Sequence, residues 1–467
     1  MPVSSRHLSH WDAEDLVAWE AGGKTIARRN LIWSVVNVHL GYSIWSLWPV
    51  MALFMPRDVY GFSAGDKLLL GITATLAGAL LRPTYAVATA VFGGRTLAMF
   101  SAFVLLVPTL GALVLLAHPG LPLWPYVVCA ALTGMGGGNF AASASNANAF
   151  YPHRLKGMAL GLSGGLGNLG VPMIQIVGLV VIAVAGDRQP YWVCGFYLLL
   201  LTIAGLGATL FMNNVAQHRL ESGRLRSILS AVVSTRDTWL LSLLYLGSFG
   251  SFIGFAFAFG QILQTAFVAG GQSVSAAALH AAELAFIGPL LAAVARIYGG
   301  RLADRVGGGR VTCAVFVAMV LTAGMLIGVA TVEDPHAGPV SGGSMAGYVA
   351  CFIALFTLAG LGNGSVYKMI PTVFAASSHR LDVDEAERSD WARVISGIVI
   401  GFVAGVGTLG GVGINLALRE SFVATGTMTS AFWVFLAFYV FAAGLTWVRY
   451  VRRPLGAPSG AASVTAG

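Results

Sequence analysis

Long apolar runs, each bounded by charged residues or by Gly/Pro clusters, occupy most of the chain. Runs of this length without charge predict membrane-spanning helices, because about 20 apolar residues are needed to cross the hydrocarbon core. They fall near residues 31–55, 68–91, 97–117, 122–150, 157–184 and 190–213, and again near 238–264, 276–299, 308–330, 345–370, 392–418 and 426–449. The widest interruption, 214–237, carries Arg219, Arg224, Arg226 and Arg236 and divides the chain almost at its middle. The pattern therefore predicts an all-α membrane protein with twelve transmembrane helices in two pseudo-symmetric six-helix bundles. A polar segment 1–30 would lead into a first bundle 31–213, a central loop 214–237 would join it to a second bundle 238–449, and a tail 450–467 would follow.

Composition narrows the function. With 57% hydrophobic and 10% charged residues over 467 positions, and a mean hydropathy of +0.78, the chain falls far short of the roughly one-quarter charged content of soluble domains. The connections left between twelve spans are too short for an attached soluble domain, so no catalytic module is expected. Cys129, Cys194, Cys313 and Cys351 are scattered singly, without a C-x-x-C pair or a metal-like spacing to histidine, and read as small core residues. No cofactor or metal is expected. The first apolar run is long enough to stay as an anchor, so no cleavable leader is expected either.

The net charge of +8 has a topological origin. If both termini are cytoplasmic, twenty of the 27 basic residues fall in the tails and inner loops, as lysine and arginine do in membrane proteins. Arg57, Lys67, Arg188 and Arg419 fall outside, and Arg82, Arg296 and Lys368 fall within spans. A multi-pass protein of the cytoplasmic membrane is thus expected, with no role for nucleic acid.

Glycines repeat between the halves. Gly161, Gly165, Gly167 and Gly170 in the fifth span match Gly401, Gly405, Gly407 and Gly410 in the eleventh at a constant offset of 240. Gly134, Gly136 and Gly138 in the fourth match Gly360, Gly362 and Gly364 in the tenth at an offset of 226. Small residues every few positions let membrane helices pack closely without any further role. Here polar residues interleave them: Asn139, Asn146, Asn168 and Asn363. Duplicated halves place a substrate site near the midplane, at their interface.

Charge inside a span is the costliest feature, at about 2.5 to 3.5 kcal/mol per residue at the centre on insertion scales. Arg82 sits beside Pro83 in the second span and Arg296 in the eighth, 13 and 14 residues ahead of Arg95 and Arg310 respectively, so the two occupy equivalent depths. Arg82 could instead be satisfied by carbonyls loosened at Pro83, and Arg296 could anchor the membrane surface. Two guanidiniums facing each other across the repeat axis would repel unless a negative charge intervenes. Of the 19 carboxylates, Glu283 is placed within a span, on a different face from Arg296. The missing charge is then the substrate, and the planar fork of a guanidinium suits a small planar oxyanion better than a spherical halide. Tyr42, Phe140, Tyr245 and Tyr367 are candidate walls, although aromatics in spans are commonly packing.

Gly136-Gly137-Gly138-Asn139-Phe140, the run Ala159-Leu160-Gly161-Leu162-Ser163-Gly164-Gly165-Leu166-Gly167-Asn168-Leu169-Gly170, and Gly360-Leu361-Gly362-Asn363-Gly364-Ser365 resemble the nitrate/nitrite porters of the major facilitator superfamily. The likeness runs from Trp11-Asp12 to the last span, and the fifth-span run is similar to that family's nitrate signature. Gly300-Arg301-Leu302-Ala303-Asp304-Arg305 likewise resembles the superfamily's inner-loop motif. The resemblance implies the major facilitator fold and a substrate site in which Arg82 and Arg296 hold the anion. In it Tyr42, Phe140, Tyr245 and Tyr367 are wall positions, and Gly164, Asn168 and Asn363 are polar or close-approach positions. The chain departs from the family at Tyr42 and Tyr367, where phenylalanine is the family's residue, and at Ala404, where some members carry serine. Lys368 adds a further positive charge beside Tyr367.

The expected function is nitrate/nitrite exchange by alternating access, with nitrate and nitrite anions and the lipid bilayer as partners and the monomer as the working unit. The rival is nitrate/proton symport, with Glu283, His39 or His280 carrying the proton. A sensor that binds anions without transporting them lacks an output domain. ATP-driven transport would rest on Gly23-Lys24-Thr25, but Ala18 stands where a phosphate loop needs glycine. The polar stretch Ser377–Trp391 reads as a solvated inner loop.

Overall fold

The computed structural model describes residues 7–8, 11–185, 189–215, 222–333, 341–379 and 382–452. Arg188, Arg219, Arg380 and the tail from 453 onward lie outside the described residues. Eleven helical stretches there are long and apolar enough to cross a membrane. These are Gly65–Thr89, Gly94–Ala117, Leu123–Phe150, Met158–Ala185, Tyr191–Phe211, Arg236–Ala269, Val274–Val306, Gly308–Glu333, Gly342–Ser378, Val394–Thr425 and Thr429–Val451, the second to twelfth spans. The first span is built from two successive helices, Lys24–Trp45 and Leu47–Met51, with Ser46 between them. The protein is a multi-pass membrane protein, helical among the described residues apart from one short pair of strands.

Helix ends follow capping chemistry more closely than hydropathy. Ser63 and Asp66 form a reciprocal capping box that opens the second span, and Gly93, at φ +86°, ends it. A Cβ at Gly93 would lie 2.6 Å from Asn214 Cγ, so this turn needs glycine for backbone and for space. The helix bearing the eleventh span starts at Glu385, where the Asp384 side chain accepts from Glu387 N at 2.7 Å, and ends at Gly426 in the left-handed conformation. The expected loop over Ser377–Trp391 is corrected accordingly: Gly342–Ser378 and Glu385–Thr425 are both helical, leaving only a short link. The central segment also holds a helix, Ser222–Ser234, and a two-residue parallel pairing of His7–Leu8 with Asn214–Val215. Neither carries an apolar run that a membrane reading would register.

The repeated glycines make repeated contacts. Gly167 and Gly170 in the fifth span abut Val38 and the His39 carbonyl of the first, while Gly165 abuts Ile297 of the eighth. In the other half, Gly407 and Gly410 of the eleventh span abut Tyr245 and Leu246 of the seventh, while Gly401 and Gly405 abut Ala86, Ala79 and Pro83 of the second. The fourth and tenth spans match in the same way: Gly136 meets Gly41 and Gly134 meets Ala77, as Gly362 meets Ser248 and Gly360 meets Ala292. Every one of these positions would bring a Cβ within 3.0 Å of its neighbour, so glycine sets the interhelical spacing. One face of the fifth and eleventh spans thus packs within its own half, and the other crosses to the opposite half. Pro83 leaves the Ala79 carbonyl without its helical donor, and Gly405 lies over that same carbonyl.

Candidate functional site

Second-span geometry places Arg82 in the interior with no exposed surface, and the eighth span does nearly the same for Arg296, 5% exposed. Arg82 Nη2 donates to the Tyr42 hydroxyl at 2.8 Å, and Arg296 Nη1 donates to the Tyr245 hydroxyl at 3.3 Å. Neither guanidinium forms an ion pair among the described residues. Arg82 Nε and Nη1 are fully buried and have no hydrogen-bond partner among the described residues. A guanidinium has five N–H donors, so a buried one making a single neutral hydrogen bond is far from satisfied.

Aromatic faces partly compensate. Arg82 lies over Tyr42, Trp45 and Phe249 at 5.5, 5.1 and 4.8 Å, and Arg296 over Phe140 and Tyr367 at 5.1 and 5.0 Å. These cation–π contacts are worth about 0.5 to 2 kcal/mol each, well short of a counter-ion. The rings also link the two arginines. Tyr245 stacks on Phe249 at 5.0 Å and meets Tyr367 at 4.6 Å, Tyr367 meets Phe140 at 5.5 Å, and Phe140 meets Tyr42 at 6.5 Å. One continuous aromatic box therefore holds both cations, with walls from the first, fourth, seventh and tenth spans and the arginines from the second and eighth. Tyr367 donates to the Ile400 carbonyl at 3.3 Å, which ties the box to the eleventh span.

The remaining expected positions have the following surroundings. Gly164 backs directly on Arg296, since a Cβ there would sit 2.9 Å from Nε. Asn168 and Asn363 are completely buried, and neither the amide nitrogen nor the amide oxygen of either side chain has a partner. Each carboxamide therefore keeps a donor and an acceptor unspent among the described residues. Leaving such groups unmatched costs about 1 to 3 kcal/mol each; Asn139 shares this state only at Oδ1, and Asn146 not at all. Asn146 donates to Ser34 Oγ at 2.8 Å and Asn139 to the Asn37 carbonyl at 3.2 Å, so both serve the packing of the first half.

Two residues around Arg82 escape a reading of the sequence: Trp45 and Phe249. Trp45 donates from Nε1 to the Ala74 carbonyl at 2.8 Å, and Gly78 and Gly137 leave room for its indole. Lys368 lies within the helix of the tenth span, Gly342–Ser378. Its side chain is 39% exposed and pairs with Asp304 of the Gly300–Arg305 run at the end of the eighth span. A lysine stem is long enough to carry its charge away from a half-buried backbone position, so Lys368 does not add to the charge in the box. Glu283 is exposed, and His280 is exposed and bonded to Gln272, so neither lies in the box. His39 is half-buried, with Nδ1 3.0 Å from the Leu166 carbonyl.

Two halves with matching helix contacts and a buried polar site walled by both are the architecture of a secondary transporter. The chain belongs to the Major Facilitator Superfamily, whose family model matches residues 34–389. It is 33% identical to the nitrate/nitrite transporter NarU of Escherichia coli, over 96% of this chain and 97% of that one. It is 28% identical to a probable nitrate/nitrite antiporter, NarK2, of Thermus thermophilus, over 96% and 97% of the two chains. Among solved structures, the nucleoside transporter NupG (D323A mutant) superimposes with a TM-score of 0.61 at 12% identity, covering 90% of this chain and 99% of that one, a likeness of fold. The protein is a major facilitator transporter and not an enzyme.

Proposed function

We propose that this transporter carries nitrate and nitrite by alternating access, as an exchanger of the two anions. The observation that carries the reading is the pair of buried arginines, each with one neutral hydrogen bond and no acidic partner among the described residues, and with Nε and Nη1 of Arg82 unmatched. A small oxyanion supplies both the missing charge and the missing acceptors, and charge-assisted hydrogen bonds are the strong ones. Arg82 and Arg296 would grip it. Asn168 and Asn363 would complete its hydrogen bonding, Tyr42, Phe140, Tyr245 and Tyr367 would exclude water, and Gly164 would leave the space Arg296 needs. The names of the NarU and NarK2 relatives support the same substrates.

Exchange follows from electrostatics. Without an anion the two cations repel across the interface of the halves, which disfavours closure around an empty site; with one bound they are drawn together. Each reorientation then needs cargo. Bundles 31–213 and 238–449 would rock about the loop 214–237, with both termini cytoplasmic and the protein in the cytoplasmic membrane. Both arginines come from one chain, so a single copy is a complete carrier. Proton coupling finds less support, because Glu283 and His280 lie exposed and outside the box. The test is counterflow in proteoliposomes: labelled nitrite uptake should require internal nitrate or nitrite and ignore an imposed pH gradient. Equal uptake into anion-free vesicles would defeat exchange, and accumulation driven by the pH gradient alone would establish symport.

A further inference from the structure

A cavity of about 650 Å³ opens between the first and fifth spans, apart from the aromatic box. Its polarity is graded along its length. Lys24, Arg28 and Tyr151 stand at one end, beyond the apolar part of the first span, and Ile32, Val35, Leu162 and Leu166 line the interior. Ile32 and Met158 are 49% and 52% exposed, so the cleft opens sideways, toward the region that hydrocarbon fills in a membrane. On the fifth span the lining runs from Leu155 to Leu166, about 16 Å of helix, against about 15 Å for one leaflet of hydrocarbon. The charged end is net positive: Lys24 pairs with Glu20 at 2.6 Å, while Arg28 has no ion pair among the described residues.

We propose that this cleft binds one anionic phospholipid from the leaflet on the side of the termini, its phosphate held by Arg28 and Lys24 and one acyl chain running between the first and fifth spans to Leu166. Three features select this occupant. The basic mouth lies at the end where headgroups lie, the depth equals one leaflet, and the lateral opening admits a lipid that stays in its own layer. A soluble anion would use the mouth alone and leave the apolar length unfilled. A zwitterionic lipid would fill the length but leave the surplus positive charge without a counter-charge.

The site is independent of the anion box, so its test does not pass through transport. Purified protein is titrated with phosphatidylglycerol or phosphatidylcholine and the retained lipid is counted by native mass spectrometry. One phosphatidylglycerol should be retained in preference to phosphatidylcholine. The double variant Lys24→Gln/Arg28→Gln should weaken that retention roughly thirtyfold, since each basic residue near a membrane surface contributes about one kcal/mol toward an anionic lipid, while nitrite exchange in phosphatidylcholine vesicles stays unchanged. Inorganic phosphate at the same concentration should not displace the lipid. In the unaltered protein, a phosphatidylglycerol with a photoreactive acyl chain should label the 155–166 segment, which keeps the proposal testable if the double variant fails to fold. Equal retention of the two lipids, retention indifferent to the double substitution, displacement by phosphate, or labelling confined to other segments would each overturn it.

Discussion

Replacing Gly164 by alanine puts a methyl carbon 2.9 Å from Arg296 Nε and 3.1 Å from Nη2. Ordinary contact needs about 3.5 Å or more, so about half an ångström or more must be found. The helix cannot retreat to provide it. On its other face Gly167 and Gly170 already press on Val38 and on the His39 carbonyl. Phe140 and Tyr367, at 5.1 and 5.0 Å, lie along the guanidinium and limit where it can go. Arg296 therefore shifts within the box and loses its aim at the anion. Losing one charge-assisted hydrogen bond, at about 1.5 to 3 kcal/mol, raises the half-saturating nitrite concentration by about one to two orders of magnitude. Counterflow in proteoliposomes reads this directly, with thermal unfolding in detergent as the check on folding. The matched control is Gly161→Ala, one turn away on the same helix, where an added Cβ meets nothing within 4 Å. It should transport normally. If Gly164→Ala and Gly161→Ala behave alike, the claim that Arg296 is held in place by the absence of a side chain is wrong.

Asn168→Ala and Asn363→Ala should each weaken nitrite binding without lowering the melting temperature, because the side chains removed make no hydrogen bond among the described residues; a clear loss of thermal stability would show that the amides serve the fold. Arg82→Lys should lose most transport even though it keeps the charge, since an ammonium cannot reproduce the fork; transport near the original rate would show that charge alone is enough. Tyr42→Phe frees Arg82 Nη2 from its 2.8 Å bond and should change the nitrate-to-nitrite preference by severalfold in competition counterflow; an unaltered ratio would remove Tyr42 from selectivity. Lys368→Gln should leave substrate affinity unchanged, because Lys368 pairs with Asp304 outside the box; a shift in half-saturation would reinstate it as a site residue.

Arg82 and Arg296 were legible because a charge stands out within an apolar run, and the glycine repeats because their offsets are constant. Trp45 and Phe249 were not, since an aromatic against a guanidinium has the same sequence appearance as one against a leucine. The tenth-span position of Lys368 was legible but its partner Asp304 was not, because hydropathy locates a Cα, while a lysine delivers its charge several ångströms away. Helix limits were missed around Glu385 and Ser222 for a related reason: water-exposed helices are started and stopped by caps, which hydrophobic runs do not record. The unpartnered amides of Asn168 and Asn363 could be nominated from sequence, but only three-dimensional accounting separates them from Asn139 and Asn146.

The two crossings between the halves are related by duplication but differ in what they touch. Gly401 and Gly405 rest on a Cβ, a peptide oxygen and a proline ring, none of which can yield. Gly164 and Gly165 rest on the outer atoms of Arg296 and Ile297, which can turn aside. One seam thus acts as a stiff bearing and the other as a cushion, and the cushion is the seam where Arg296 lies.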